Sequence, residues 1–169
     1  MIIELQSRMV SVDRDQPSAV FAPDQVMIVE LAGNVANVPC CRAVVELRQF
    51  QGGMAPHVLV GGKYEPGGER LIVKVGTMAV LARRRTCAAR FGRRLIPGLL
   101  EEYGESVLGG LARTLQLGPG VVTIDRFGFD PVETSELATE LASEILGRVL
   151  NVAGEPSDSD VRAWLEALP

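Results

Sequence analysis

Apolar residues come in short, β-branched runs over the first half of the chain and recur at three- and four-residue spacing over the second. Met1–Leu5 and Val26–Leu31, set among Pro17, Pro23 and Pro39, read as two brief strands joined by turns. RAVVELRQF over 42–50, HVLVGGKY over 57–64 and RLIVKVG over 70–76 read as three more. Between the last two lies Glu65-Pro66-Gly67-Gly68-Glu69, a strong turn signal that predicts a hairpin.

Ile96, Leu99, Leu100, Tyr103, Val107, Leu108, Leu111 and Leu115 then define one buried stripe of a helix over about 93–116. Pro97 is tolerated only in a first turn, which sets the start near Leu95 or Ile96, and Gly118-Pro119-Gly120 ends the element. VVTID over 121–125 reads as a short strand buried on both faces, and FGFDPVE as a connection. A second helix starts at Thr134 or Ser135, with Glu136 in its first turn and Leu137, Leu141, Ile145 and Val149 on its apolar face. The two stripes require a common surface, so 95–150 is expected as a helix, strand, helix unit on one sheet face. A capping pattern from Ser157 to Asp160 opens a terminal helix carrying Val161, Trp164, Leu165 and Leu168. That helix either packs on its own domain or docks a second subunit, which would make a homo-oligomer. The organisation expected is thus an N-terminal pair of strands or extension over 1–41, a main domain over 42–150 and a C-terminal helix over 151–169.

Composition narrows the chemistry. A chain of 169 residues with 47% apolar content builds a core without metals or disulfides, and 5% aromatics leaves few rings for stacking nucleobases. Cys40, Cys41 and Cys87 are odd in number and two are adjacent, a poor disulfide framework that fits a reducing compartment. Glu4 and Arg8 interrupt the N-terminal apolar run and no run reaches membrane-spanning length, so a cytoplasmic protein without a membrane partner is expected.

Catalytic and cofactor motifs fail one by one. Gly61-Gly62-Lys63 has His57 where a phosphate-cradling loop needs its first Gly and Tyr64 where it needs a hydroxyl for Mg²⁺. No Ser is framed by Gly as in a nucleophile elbow, and a single His with unpaired cysteines makes no metal site. Glu101 and Glu102 are adjacent on a helix and point apart. His57 alone has an unperturbed pKa near neutrality; a hydrogen-bonded structural or surface role is expected for it, and an enzyme is the third-ranked reading. No catalytic residue, metal or cofactor is assigned.

Charge is uneven. Residues 83–124 hold seven Arg against three Glu, whereas 125–169 hold three Arg against ten acids. Arg83, Arg84, Arg85, Arg90, Arg93 and Arg94 form a cluster with no acid inside it, suited to bidentate phosphate contacts or to a solvated loop.

Ile96-Pro97, the strand from Gly118 to Ile124, Phe129 and the run Asp130-Pro131-Val132-Glu133-Thr134-Ser135-Glu136-Leu137-Ala138 follow the order of a known domain, and Gly53-Met54-Ala55-Pro56-His57-Val58 looks like its Gly-x-x-x-His-Val. Over roughly 42–150 the chain resembles domain IV of elongation factor G, without the GTPase. The resemblance implies an α+β fold: a mixed four-stranded sheet with two helices on one face and a split β-α-β with left-handed crossover. It also implies that the loops carrying His57, Asp130 and Glu133 meet at one tip, where the parent factor touches RNA. Asp130 and Glu133 put negative charge at that tip, the Arg segment is extra to the family pattern, and function is not carried over whole. Two readings follow. One is a non-catalytic module contacting ribosomal RNA, other RNA or a ribosome-associated protein through the Arg segment; the other is an RNA-independent protein-interaction or self-assembling domain.

Overall fold

The computed structural model describes residues 1–34, 38–50, 52–80, 85–92 and 94–169. The fold is α+β, and its described strands form one mixed, mostly antiparallel sheet of eight rather than four. In chain order these are β1 (Ile2–Leu5), β2 (Arg8–Asp13), β3 (Gln25–Leu31), β4 (Cys41–Gln49), β5 (His57–Pro66), β6 (Leu71–Thr77), β7 (Ile96–Pro97) and β8 (Gly120–Phe129), with helices α1 (Glu101–Thr114), α2 (Glu136–Leu150) and α3 (Asp158–Glu166). The sheet runs β1-β2-β4-β5-β8-β6-β3, and β7 pairs with β8 beyond the end of β6. The strands of residues 1–31 thus belong to the same sheet as the rest, β1 and β2 at one end and β3 at the other.

The expected hairpin does not form. β8 lies between β5 and β6, antiparallel to the first and parallel to the second. The turn at 65–70 is real but wide, bridging about 10 Å over the start of β8, two strand spacings rather than one. It is tied there by bonds from Gly67 N to Pro119 O (3.1 Å) and from Gly120 N to Arg70 O (2.9 Å). Gly120 allows this crossing, since a Cβ would stand 2.5 Å from the Tyr64 ring. Gly61 and Gly62, rejected above as a phosphate loop, sit at a β-bulge in β5, where side chains would strike Val44 and Thr123.

The sheet's alternation fixes two faces. Val45, Leu47, Val58, Val60, Val73, Val75, Val122 and Ile124 meet α1 and α2 in one large core, in which Leu99, Val107 and Leu141 are fully buried. The first helix starts six or so residues later than its apolar stripe predicts. Gly98 adopts φ +126°, outside helical space, and Ile96-Pro97 pair with Phe129 and Gly128 as β7. Only after Leu100 does the helix begin, with Glu101 and Glu102 in the first turn. The second helix is capped as expected, the Ser135 hydroxyl accepting from Ala138 N, but Leu137 is half exposed. On α3 a full capping box joins Ser157 and Asp160. Its apolar stripe is spent within the molecule: Val161, Leu165 and Leu168 are buried and Trp164 packs on the core. Arg8 reinforces this by donating to the Leu165 and Leu168 carbonyls (3.0 Å each) and to the Pro169 oxygen. The apolar stripe of the C-terminal helix thus packs on its own domain.

On the opposite face, residues 87–92 with 94 and 95 form a strap over the middle of the sheet, where Ala19, Val44, Leu59, Cys87 and Leu95 make a second, small core.

Candidate functional site

One end of the sheet gathers every connection that the resemblance placed at a tip. β4 ends and β5 begins there, Arg48 facing His57; β8 ends there, Phe129 facing Val58. Because β6 runs parallel to β8 and α1 crosses back between them, β6 also ends at the tip and both α1 and α2 start near it. The His57 carbonyl accepts from the Thr134 hydroxyl (2.5 Å) and from Asp130 N (3.4 Å), so the two loops adjoin across seventy-odd positions of sequence. Asp130 organises its loop: its Oδ1 accepts from Val132 N (2.9 Å) and Glu133 N (3.2 Å), the local bonding by which Asp shapes a turn. Tyr103 ties α1 to the same loop by donating to the Thr134 carbonyl, stacks against Phe127 and meets Phe129 at a tilt.

The connections at this end carry several exposed apolar side chains. Phe50, Met54, Val80, Val132 and Leu137 are five of the eleven large hydrophobic side chains exposed among the described residues, and Val132 is 82% exposed. Phe50 and Leu137 line a shallow cleft with Ser7, Arg8, Gln49 and Pro169, and the Arg48 guanidinium stands 5.0 Å from the Phe50 ring centre. Glu101 and Glu102 in the first turn of α1 and Glu136 in that of α2 are exposed as well.

His57 is not part of that surface. Its side chain is 0% exposed, on the strap side of the sheet, with Nε2 2.7 Å from Glu46 Oε1 and Nδ1 without a partner. Glu46 is the residue that sequence reasoning missed. Almost fully buried, it also accepts from Phe91 N at Oε1 (3.1 Å) and from Arg90 N at Oε2 (2.8 Å), pinning the strap to β4. In a strand reading Ala-Val-Val-Glu-Leu-Arg a Glu signals a solvent-facing position; only a segment forty residues downstream turns it into an interior anchor.

The Arg cluster divides. Arg83, Arg84 and Arg93 lie outside the described residues. Arg85 and Arg94 are exposed, while Arg90 holds Asp13 through two bonds of 3.0 and 3.1 Å. Burial pushes the Asp13 carboxyl up, but the bonds from Arg90 and Ser11 outweigh it and hold the group below its ordinary value. Other arginines are likewise engaged: Arg42 grips Asp125 with two bonds of 2.8 and 2.9 Å, and Arg126 reaches Asp15 (2.9 Å). These cations face their own carboxylates rather than an incoming phosphate.

Among the described residues no cluster of three His, Cys, Asp or Glu could hold a metal, and no helix is long and apolar enough to cross a membrane. The three cysteines are free thiols in sharply different settings. Cys40 is exposed, burial raises the pKa of half-buried Cys41, and burial pushes buried Cys87 up to about 11. Native protein at pH 8 is expected to show one fast thiol, Cys40, in a chromogenic disulfide assay, and three when unfolded. A raised thiol pKa costs stability once the unfolded chain ionises, so Cys87 makes stability fall as pH rises from 9.0 towards 11.

No protein-family model matches the chain, and no curated protein is significantly similar to it.

Proposed function

We propose that this chain is a non-catalytic binding module whose working surface is the tip and whose occupant is another protein. The observation that carries the reading is that the connections at one end of the sheet expose Phe50, Met54, Val80, Val132 and Leu137, of which Phe50 and Leu137 share a cleft. An apolar centre with a polar rim is the composition of a protein interface. An RNA surface would instead show cations without partners and rings for stacking. Arg90, Arg42 and Arg126 are each held by a carboxylate, and net charge is −4. The RNA reading keeps exposed Arg85 and Arg94 as its described support. A reducing, cytoplasmic setting fits three free thiols.

The test pairs affinity capture from the source cells with substitutions. The bound protein should survive nuclease treatment, be lost with Val132→Asp or Leu137→Asp, and persist with Arg162→Glu on α3. Loss of a central apolar anchor lowers affinity by roughly tenfold or more. Capture of RNA that is abolished by Arg85→Ala and Arg94→Ala, and indifferent to the tip variants, would reverse the assignment.

A further inference from the structure

The two edges of the sheet are unlike. At one, β1 has only four residues, and its ladder with β2 is extended by one rung, the Met1 ammonium donating to the Val12 carbonyl (3.0 Å). At the other, β3 is seven residues long, pairs with β6 in unbroken register from Gln25↔Thr77 to Leu31↔Leu71, and offers its second side to solvent. Its sequence, QVMIVEL, has no Pro, Lys or Arg, and the pairing shows no bulge. Those are the devices by which proteins ordinarily blunt an exposed edge. The strand is apolar where it is open: Val26 is 51% exposed, Ile28 64% and Val29 36%.

We infer that β3 is a self-association edge, pairing antiparallel with β3 of a second copy about a two-fold axis through Ile28. Ile28 is the midpoint of Gln25–Leu31, so this register is the one that pairs all seven residues. It sets Ile28 against its own counterpart, Met27 against Val29 and Val26 against Glu30. Glu30, the one charged side chain of the strand, meets no like charge; its carboxylate already accepts from Arg70 of its own chain (2.8 Å). The register thus sets no like charges opposite one another in this isologous contact. The symmetry follows from the pairing: the sheet continues through both copies, the helices lie on the same side, and the two tips point in opposite directions. Because the two-fold contact uses the β3 edge of both copies, the assembly closes at two. This inference does not rest on the tip reading.

Sedimentation velocity on the full chain tests it. At about 100 µM the wild type should sediment at twice the chain mass and dissociate on dilution, the behaviour of a small interface. Ile28→Lys, with Val26→Lys as a second variant, should give single chains with unchanged far-UV circular dichroism, since both positions are exposed. Val132→Asp and Leu137→Asp should remain dimeric, which separates this surface from the tip. Ile28→Cys in a Cys40→Ser background should form a disulfide-linked dimer on mild oxidation, facing strand positions being within disulfide reach. A wild type that is monomeric at this concentration, a dimer indifferent to Ile28→Lys, open-ended aggregation, or no cross-link at Ile28 would each overturn the proposal.

Discussion

Replacing Glu46 with Leu should destabilise the protein by roughly 3–5 kcal/mol, because it strips a buried site of the acceptor that three donors share. His57 Nε2, Arg90 N and Phe91 N all end on this carboxylate, and neither His57 nor Glu46 has meaningful contact with water. Leu restores apolar volume but accepts nothing, so the two backbone N–H groups must be left unpaired or carried out to solvent with the strap, and the His57 imidazole on β5 loses its partner either way. The second course uncovers Cys87 and Leu95. The urea midpoint should therefore fall sharply, and the Cys87 thiol should become reactive in the folded protein. A loss under about 1 kcal/mol with Cys87 still protected would show that the strap is held by its apolar contacts alone.

A second large effect is expected where α1 crosses α2. Gly110→Ala should cost roughly 3 kcal/mol, although Ala is the better helix former, because the added methyl meets backbone, the Glu140 carbonyl and Glu144 N, which cannot turn aside. Gly109 next to it makes the internal control. A Cβ there meets only the flexible end of the Glu140 side chain, so Gly109→Ala should gain up to about 1 kcal/mol from helix propensity. Thermal melts of the two variants should move in opposite directions. A similar response from both would mean that the helices are not in the close contact that Gly110, and Gly147 against Thr114, permit.

What could be read from the sequence was local. The α2 and α3 starts at Ser135 and Ser157 follow from side chains that satisfy nearby N–H groups, and the apolar stripes of Val107, Leu111, Leu141 and Ile145 follow from helical period. The errors arose where a distant segment decided. Nothing near 65–69 indicates that β8 will enter between β5 and β6. Nor does Ile96-Pro97 announce itself as a strand: its pairing depends on β6 ending at Thr77 and leaving that side of β8 open. β2 was missed altogether because RMVSVD has only three apolar positions and draws its strand character from β4. At the candidate site, the loops at His57 and Asp130 adjoin through hydrogen bonds that neither loop's own residues indicate. The exposed apolar side chains were not legible either, because Phe50, Met54, Val80 and Val132 are scattered singly, and Leu137 reads as core on the helical period. His57, read as a tip residue, is interior because the strap covers it.

The central claim, that the tip is where this chain meets a protein, is most directly tested by placing a photo-crosslinking residue at Val132 and, as control, at Arg162, and irradiating the source cells. Discrete protein adducts that resist nuclease are expected from position 132 and none from position 162. Adducts that nuclease removes, or equal labelling from both positions, would contradict the claim.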